Sequence, residues 1–180
     1  MYAFLAVLGV VVLIGIMTYN RLVLLRNRVE NAWAQIDVQL KKRNDLVPNL
    51  VETVKGYAKH ERETFDSVTQ ARAQMASAGS VQERAEASNM LSGALKSLFA
   101  VAEAYPELKA NQNFLMLQEE LSGIENKIAY ARQFYNDSVL AFNAAIQAFP
   151  GVIFAGMIGA RPKEYFRTPE AEKVVPTVKF

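Results

Sequence analysis

The chain has 180 residues, a hydrophobic fraction of 51%, no cysteine and a formal net charge of +2. Its length suits one domain with a real core and leaves little room for a second. The small charge, with no dense Lys/Arg stripe interleaved with aromatics, argues against a nucleic-acid partner, and a thiol-free chain fits reducing and oxidising compartments alike.

The hydrophobic excess is concentrated at the front. Residues 2–19, "YAFLAVLGVVVLIGIMTY", carry no charge, and their length is roughly what a helix needs to cross a hydrocarbon core of about 30 Å. Only Met1 precedes the segment and no A-x-A follows it, so an uncleaved signal anchor over residues 1–20 is expected in place of a cleaved signal peptide. Tyrosines at both ends suit the membrane interface. Arg21, Arg26 and Arg28 follow at once. By the positive-inside rule they keep residues 21–180 in the cytoplasm of a single-pass inner-membrane protein with its N-terminus outside. They are also the candidate contacts to anionic headgroups.

Val29, Trp33, Ile36 and Leu40 step by four, three and four, continuing one stripe of the spanning helix into water, to about Arg43. Pro48 then predicts a break near Asn44. If Asn44 caps a new helix, Pro48 falls where the backbone N–H has no intrahelical partner to lose. Helix 2 is expected over residues 45–78, with Val47, Val54, Val68 and Met75 on one seven-residue register and Leu50, Tyr57 and Ala71 on another. Its His60 is the chain's single histidine, followed by Glu61. A zincin helix needs a second His four residues on, where Thr64 stands, so no metal site is expected.

Gly79 can close helix 2, and Ser80 with Glu83 forms a capping box that opens helix 3, which ends near Pro106. Helix 4 is the most regular element: Phe114, Leu121, Ile128, Tyr135, Phe142 and Phe149 recur every seven residues, a rod of roughly 54 Å. A packed seam explains these aromatics without a cofactor. Gln118, Glu125, Arg132, Asn136 and Asn143 form a polar stripe on its shoulder. No nucleophile with an adjacent base accompanies them, and the stripe is a candidate oligomer or partner contact.

Residues 149–160, "FPGVIFAGMIGA", are too short to span a membrane and too rich in glycine for a stable helix. The tail beyond ends on alternating apolar residues, and Val174, Val178 and Phe180 are candidate contacts for packing in cis, in trans or on a partner. The expected fold is therefore all-α: a transmembrane helix continuing into an up-and-down, antiparallel four-helix bundle over 21–149, with breaks near 44, 79–80 and 106, then an apolar loop and extended tail over 150–180.

Several stretches, taken in order, resemble the membrane-anchored LemA family of bacteria. They are "YNRLVLLRNRVENAWAQIDVQLKKRNDLVPNLVETVKGYAKHE" at 19–61, "YPELKAN" at 105–111, "IENKIAYARQFYND" at 124–137, and "FP", "IFAG", "YF" and the closing "VKF". The resemblance implies one spanning helix, a cytoplasmic domain of long helices, no established enzymatic activity or cofactor, and partners among membrane proteases or other small membrane proteins. The family offers no catalytic residues to carry over. The function expected is a non-enzymatic scaffold on the lipid bilayer that self-associates as a homo-oligomer, organises partner membrane proteins, or both, with membrane shaping as a variant of that reading. The alternatives are an adaptor acting on a membrane protease through its tail and, last, a metal-dependent hydrolase built on His60, Glu61 and Glu63.

Overall fold

A computed structural model describes residues 1–167. These residues form an all-α structure of helices α1 (Tyr2–Lys55), α2 (Arg62–Ser77), α3 (Val81–Glu103), α4 (Pro106–Lys109), α5 (Gln112–Gln147) and α6 (Gly151–Met157). Two compact units divide it. One holds Met1–Ile36 and Ala131–Tyr165; within the described residues, the other holds Asp37–Tyr130 and residues 166–167. Each long helix, α1 and α5, contributes residues to both.

The second unit packs four helical segments, from α1, α2, α3 and α5, around a shared core. Val47 and Leu50 of α1, Val68 of α2, Leu91 and Leu98 of α3, and Leu121 of α5 meet there, all essentially inaccessible. The heptad registers read from the sequence are largely the buried ones: Val54, Ala71 and Met75 are covered, and so are Phe114, Ile128, Tyr135 and Phe142. Phe149 departs from its register because α5 stops at Gln147, and the ring is 81% exposed.

The expected break near Asn44 is not there. α1 runs through Pro48 to Lys55, so residues 45–55 belong to the same helix as the anchor. Pro48 cannot donate to the Asn44 carbonyl; Arg72 of α2 does so instead, its Nε standing 3.3 Å from that oxygen. Burial of Val47, Leu50, Val51 and Val54 holds the segment in place. At about 1.5–3 kcal/mol for each fully buried aliphatic side chain, their packing outweighs the roughly 3 kcal/mol of a mid-helix proline. The chain turns at residues 56–61 instead, where Tyr57 and Ala58 both donate to the Val54 carbonyl, at 3.0 and 2.9 Å.

The boundary at Gly79 and Ser80 has the expected chemistry. Ser80 Oγ accepts from Glu83 N at 3.1 Å, and Glu83 Oε2 accepts from Ser80 N at 3.0 Å and Gly79 N at 2.7 Å. These backbone donors, Ser80 first, hold the Glu83 carboxyl below its usual pKa. A group lowered in the folded state adds stability above its unfolded pKa, and that stability is lost as pH falls through the folded value. Ser80→Ala is expected to cost about 1 kcal/mol, read as a lower urea midpoint with unchanged slope.

Residues 149–160 were expected to be non-helical, yet α6 forms within them. It is closed by a Schellman motif: Ala160 N donates to Ala155 O at 2.9 Å and Gly159 N to Gly156 O at 3.4 Å, with Gly159 at φ 62°. The left-handed residue that this motif needs is supplied by one of the glycines that argued against a helix.

Candidate functional site

The N-terminal third of α1 buries none of its residues. The 18-residue apolar window has a mean hydropathy of 2.3 and no buried residue. Among the described residues α1 is the one helix long and apolar enough to cross a membrane by itself; α5 and α6 reach that measure only as a pair bent by 93°. Beyond the window Leu22, Val29, Ala32 and Ile36 become buried. One continuous helix thus passes from a largely exposed apolar surface to an ordinary packed stripe.

Three arginines stand at this transition. Arg21 is exposed. Arg26 is exposed and pairs with Glu30 one turn on, at 3.1 Å. Arg28 lies with its guanidinium 5.2 Å from the centroid of the Phe134 ring, a cation–π contact. Nearby, Trp33 and Tyr135 meet at a centroid distance of 5.5 Å, stapling α1 to the later half of α5 within the same unit.

The polar stripe of α5 is divided in its roles. Asn143 is buried and clamps the chain after α6: its Nδ2 donates to Lys163 O at 2.9 Å, and Lys163 N donates to its Oδ1 at 2.8 Å. Tyr135 adds a third bond, its hydroxyl donating to Glu164 O at 2.9 Å. Burial first, and then the Glu164 carboxylate, raise the Tyr135 pKa above its usual value. Arg132 and Asn136 are half-buried in this unit, and Gln118 is half-buried in the other.

Glu125 belongs to a network that its place on the α5 stripe does not reveal. Arg43 is wholly buried in the second unit. Its Nη1 donates to Glu125 Oε1 at 2.6 Å and Ser92 Oγ at 2.8 Å, and its Nη2 to Ser88 Oγ at 2.9 Å and Ser88 O at 3.2 Å. The signal for Arg43 was present: Val29, Ile36, Arg43 and Leu50 are spaced by seven, so a cation occupies an apolar register. A helix ending near Asn44 hides it. Asp37 and Arg84 form a second ion pair in this unit.

His60 lies exposed in the turn between α1 and α2, away from any helix seam. Its neighbour Glu61 accepts from the Tyr105 hydroxyl at 3.3 Å, and Asn111 donates to the Tyr57 hydroxyl at 3.0 Å, so both ends of this turn are tied down. Desolvation, then the charge of Glu61, raise the Tyr105 pKa. Among the described residues no group of three or more His, Cys, Asp or Glu side chains could hold a metal ion. Val174, Val178 and Phe180 lie outside the described residues.

Comparison with known proteins adds to this geometry. Protein LemA of Metamycoplasma hominis is 26% identical over 95% of this chain and 78% of its own length. Magnetosome protein MamQ of Magnetospirillum gryphiswaldense is 24% identical over 87% of this chain and 67% of its own, and Magnetosome protein MamQ 2 of Paramagnetospirillum magneticum is 24% identical over 92% and 71%. The LemA family model matches residues 32–180, which include the proline-crossed end of α1, the Ser80 cap and all of α5. The chain belongs to the LemA family.

Proposed function

We propose that this protein is a non-enzymatic, membrane-anchored helical scaffold that self-associates and organises partner membrane proteins. The observation that carries the reading is the exposed apolar third of α1, joined without a break to packed helix. The polar side chains with the means for chemistry support it by their structural engagements: Glu125 with Arg43, Glu61 with Tyr105, and Asn143 with Lys163. Similarity to proteins named for the magnetosome favours a role in organising membrane. Arg21, Arg26 and Arg28 favour a cytoplasmic location for residues 21–180 by the positive-inside rule. In the second unit Leu115, Met116 and Tyr130 are 48%, 69% and 75% exposed and offer apolar surface for a second copy or a partner.

The test is the mass of the detergent-solubilised full-length protein by light scattering, beside a chain beginning at Asn20. A discrete assembly that dissociates without the anchor is the expected result. A monomer in both overturns self-association.

A further inference from the structure

Within the unit that carries the span, α6 lies against α1. Phe154 approaches Gly15 so closely that a methyl group there would stand 3.1 Å from its ring. Gly15 falls inside the apolar window, so α6 lies beside the stretch read as bilayer-spanning. Its outward residues fit that place: Val152, Ile153 and Met157 are 49%, 54% and 78% exposed. The Gly159 turn then sends the chain along α1 past Tyr19 and Arg26, enclosing a cleft of about 510 Å³. That volume lies within the range of small-molecule sites.

The lining of this cleft combines two chemistries. Leu22, Phe142 and Ile158 supply apolar wall, whereas Arg26, Arg161 and Lys163 supply cations, and no carboxylate residue lines it. Tyr19, the last residue of the apolar segment, is part of the wall, so the cations stand where hydrocarbon gives way to headgroups. The wall bearing Arg161 and Lys163 is pinned by the two bonds from Asn143 to Lys163 and by Tyr135 to Glu164. Ordering these side chains on binding therefore costs less than it would on a free loop.

We infer that this cleft binds the phosphate-bearing headgroup of an anionic phospholipid, with Arg26, Arg161 and Lys163 on the headgroup and the apolar wall against its glycerol and proximal acyl carbons. A soluble phosphate compound would match the cations and leave the apolar wall uncovered. Basic pockets between helices at a membrane face bind acidic headgroups in this way. The inference rests on the reading of residues 2–19 as a membrane span.

The experiment titrates the full-length protein in neutral detergent with dioctanoyl phosphatidylglycerol, dioctanoyl phosphatidylcholine and inorganic phosphate, counting bound ligand by native mass spectrometry. One phosphatidylglycerol is expected to be retained per chain, phosphatidylcholine far less. The paired change Arg161→Gln and Lys163→Gln should weaken phosphatidylglycerol by roughly thirtyfold, and Arg161→Lys with Lys163→Arg should restore it. Equal retention of both lipids, an unaltered affinity in the glutamine pair, or displacement by phosphate at equal concentration overturns the inference. Sedimentation with phosphatidylcholine vesicles separates this from failure of the anchor: the glutamine pair still sediments if residues 2–19 span, and the unaltered chain stays in solution if they do not.

Discussion

Replacing Glu125 by alanine is expected to lower the unfolding free energy by about 3 kcal/mol, more than replacing Arg43 by methionine lowers it. The asymmetry follows from where the two charges lie. Arg43 is fully buried and the Glu125 side chain is 38% exposed. Without Glu125 the guanidinium keeps only neutral acceptors, Ser88 and Ser92, and an arginine cannot shed its charge by deprotonation. An uncompensated buried charge costs about 3–5 kcal/mol, and the exposure of Glu125 puts its loss at the lower end. Methionine at 43 fills much of the volume and removes the charge. Glu125 then turns to water, while Ser92 still donates to the Ser88 carbonyl at 3.1 Å. The expected loss is about 1–2 kcal/mol, that of hydrogen bonds replaced by apolar packing. Urea titration followed by circular dichroism reads both. A larger loss for Arg43→Met would show that the pair stabilises the core by its Coulomb attraction, and that leaving the guanidinium unpaired is not the dominant cost.

Much of this fold is legible in the sequence because its signals are local and repeated. The seven-residue register of α5, the Ser80 box and the uncharged run over residues 2–19 each rest on spacing within one element. Two of the failures share another cause: a partner distant in the sequence reverses a local rule. Pro48 argues for a break, but core packing against α2 and α3 holds the helix through it, and Arg72 bonds the carbonyl that the proline abandons. Arg43 looks like the polar end of a helix until Ser88, Ser92 and Glu125 converge on it from α3 and α5. The glycines of α6 argue against helix until one of them serves as its closing turn. The candidate site was legible only by half. Arg26 follows from charge next to a span, whereas Arg161 and Lys163 belong with it only because the chain doubles back after α6.

Asn143 clamps the returning chain through both backbone polar groups of Lys163, and Asn143→Ala is expected to separate lipid binding from folding. The truncation leaves the Lys163 N–H and carbonyl without their side-chain partner, at about 1–3 kcal/mol. It leaves the cationic side chains themselves intact. If the pinned wall is what organises the cleft, phosphatidylglycerol affinity falls by roughly tenfold through the added ordering cost, while helical content is kept. Glu125→Ala is the reciprocal control: it lies in the other unit, loses at least as much stability, and should retain the lipid affinity of the unaltered chain. Tyr135 gives the same contrast through pH. Its raised pKa means that its bond to Glu164 is fully present below the ordinary tyrosine value near 10 and is lost only as pH rises through the folded value. Lipid affinity should therefore show no step from this hydroxyl between about pH 6 and pH 9. If Asn143→Ala binds phosphatidylglycerol as the unaltered chain does, residues 160–165 hold their place without the clamp and Asn143 is a core residue alone.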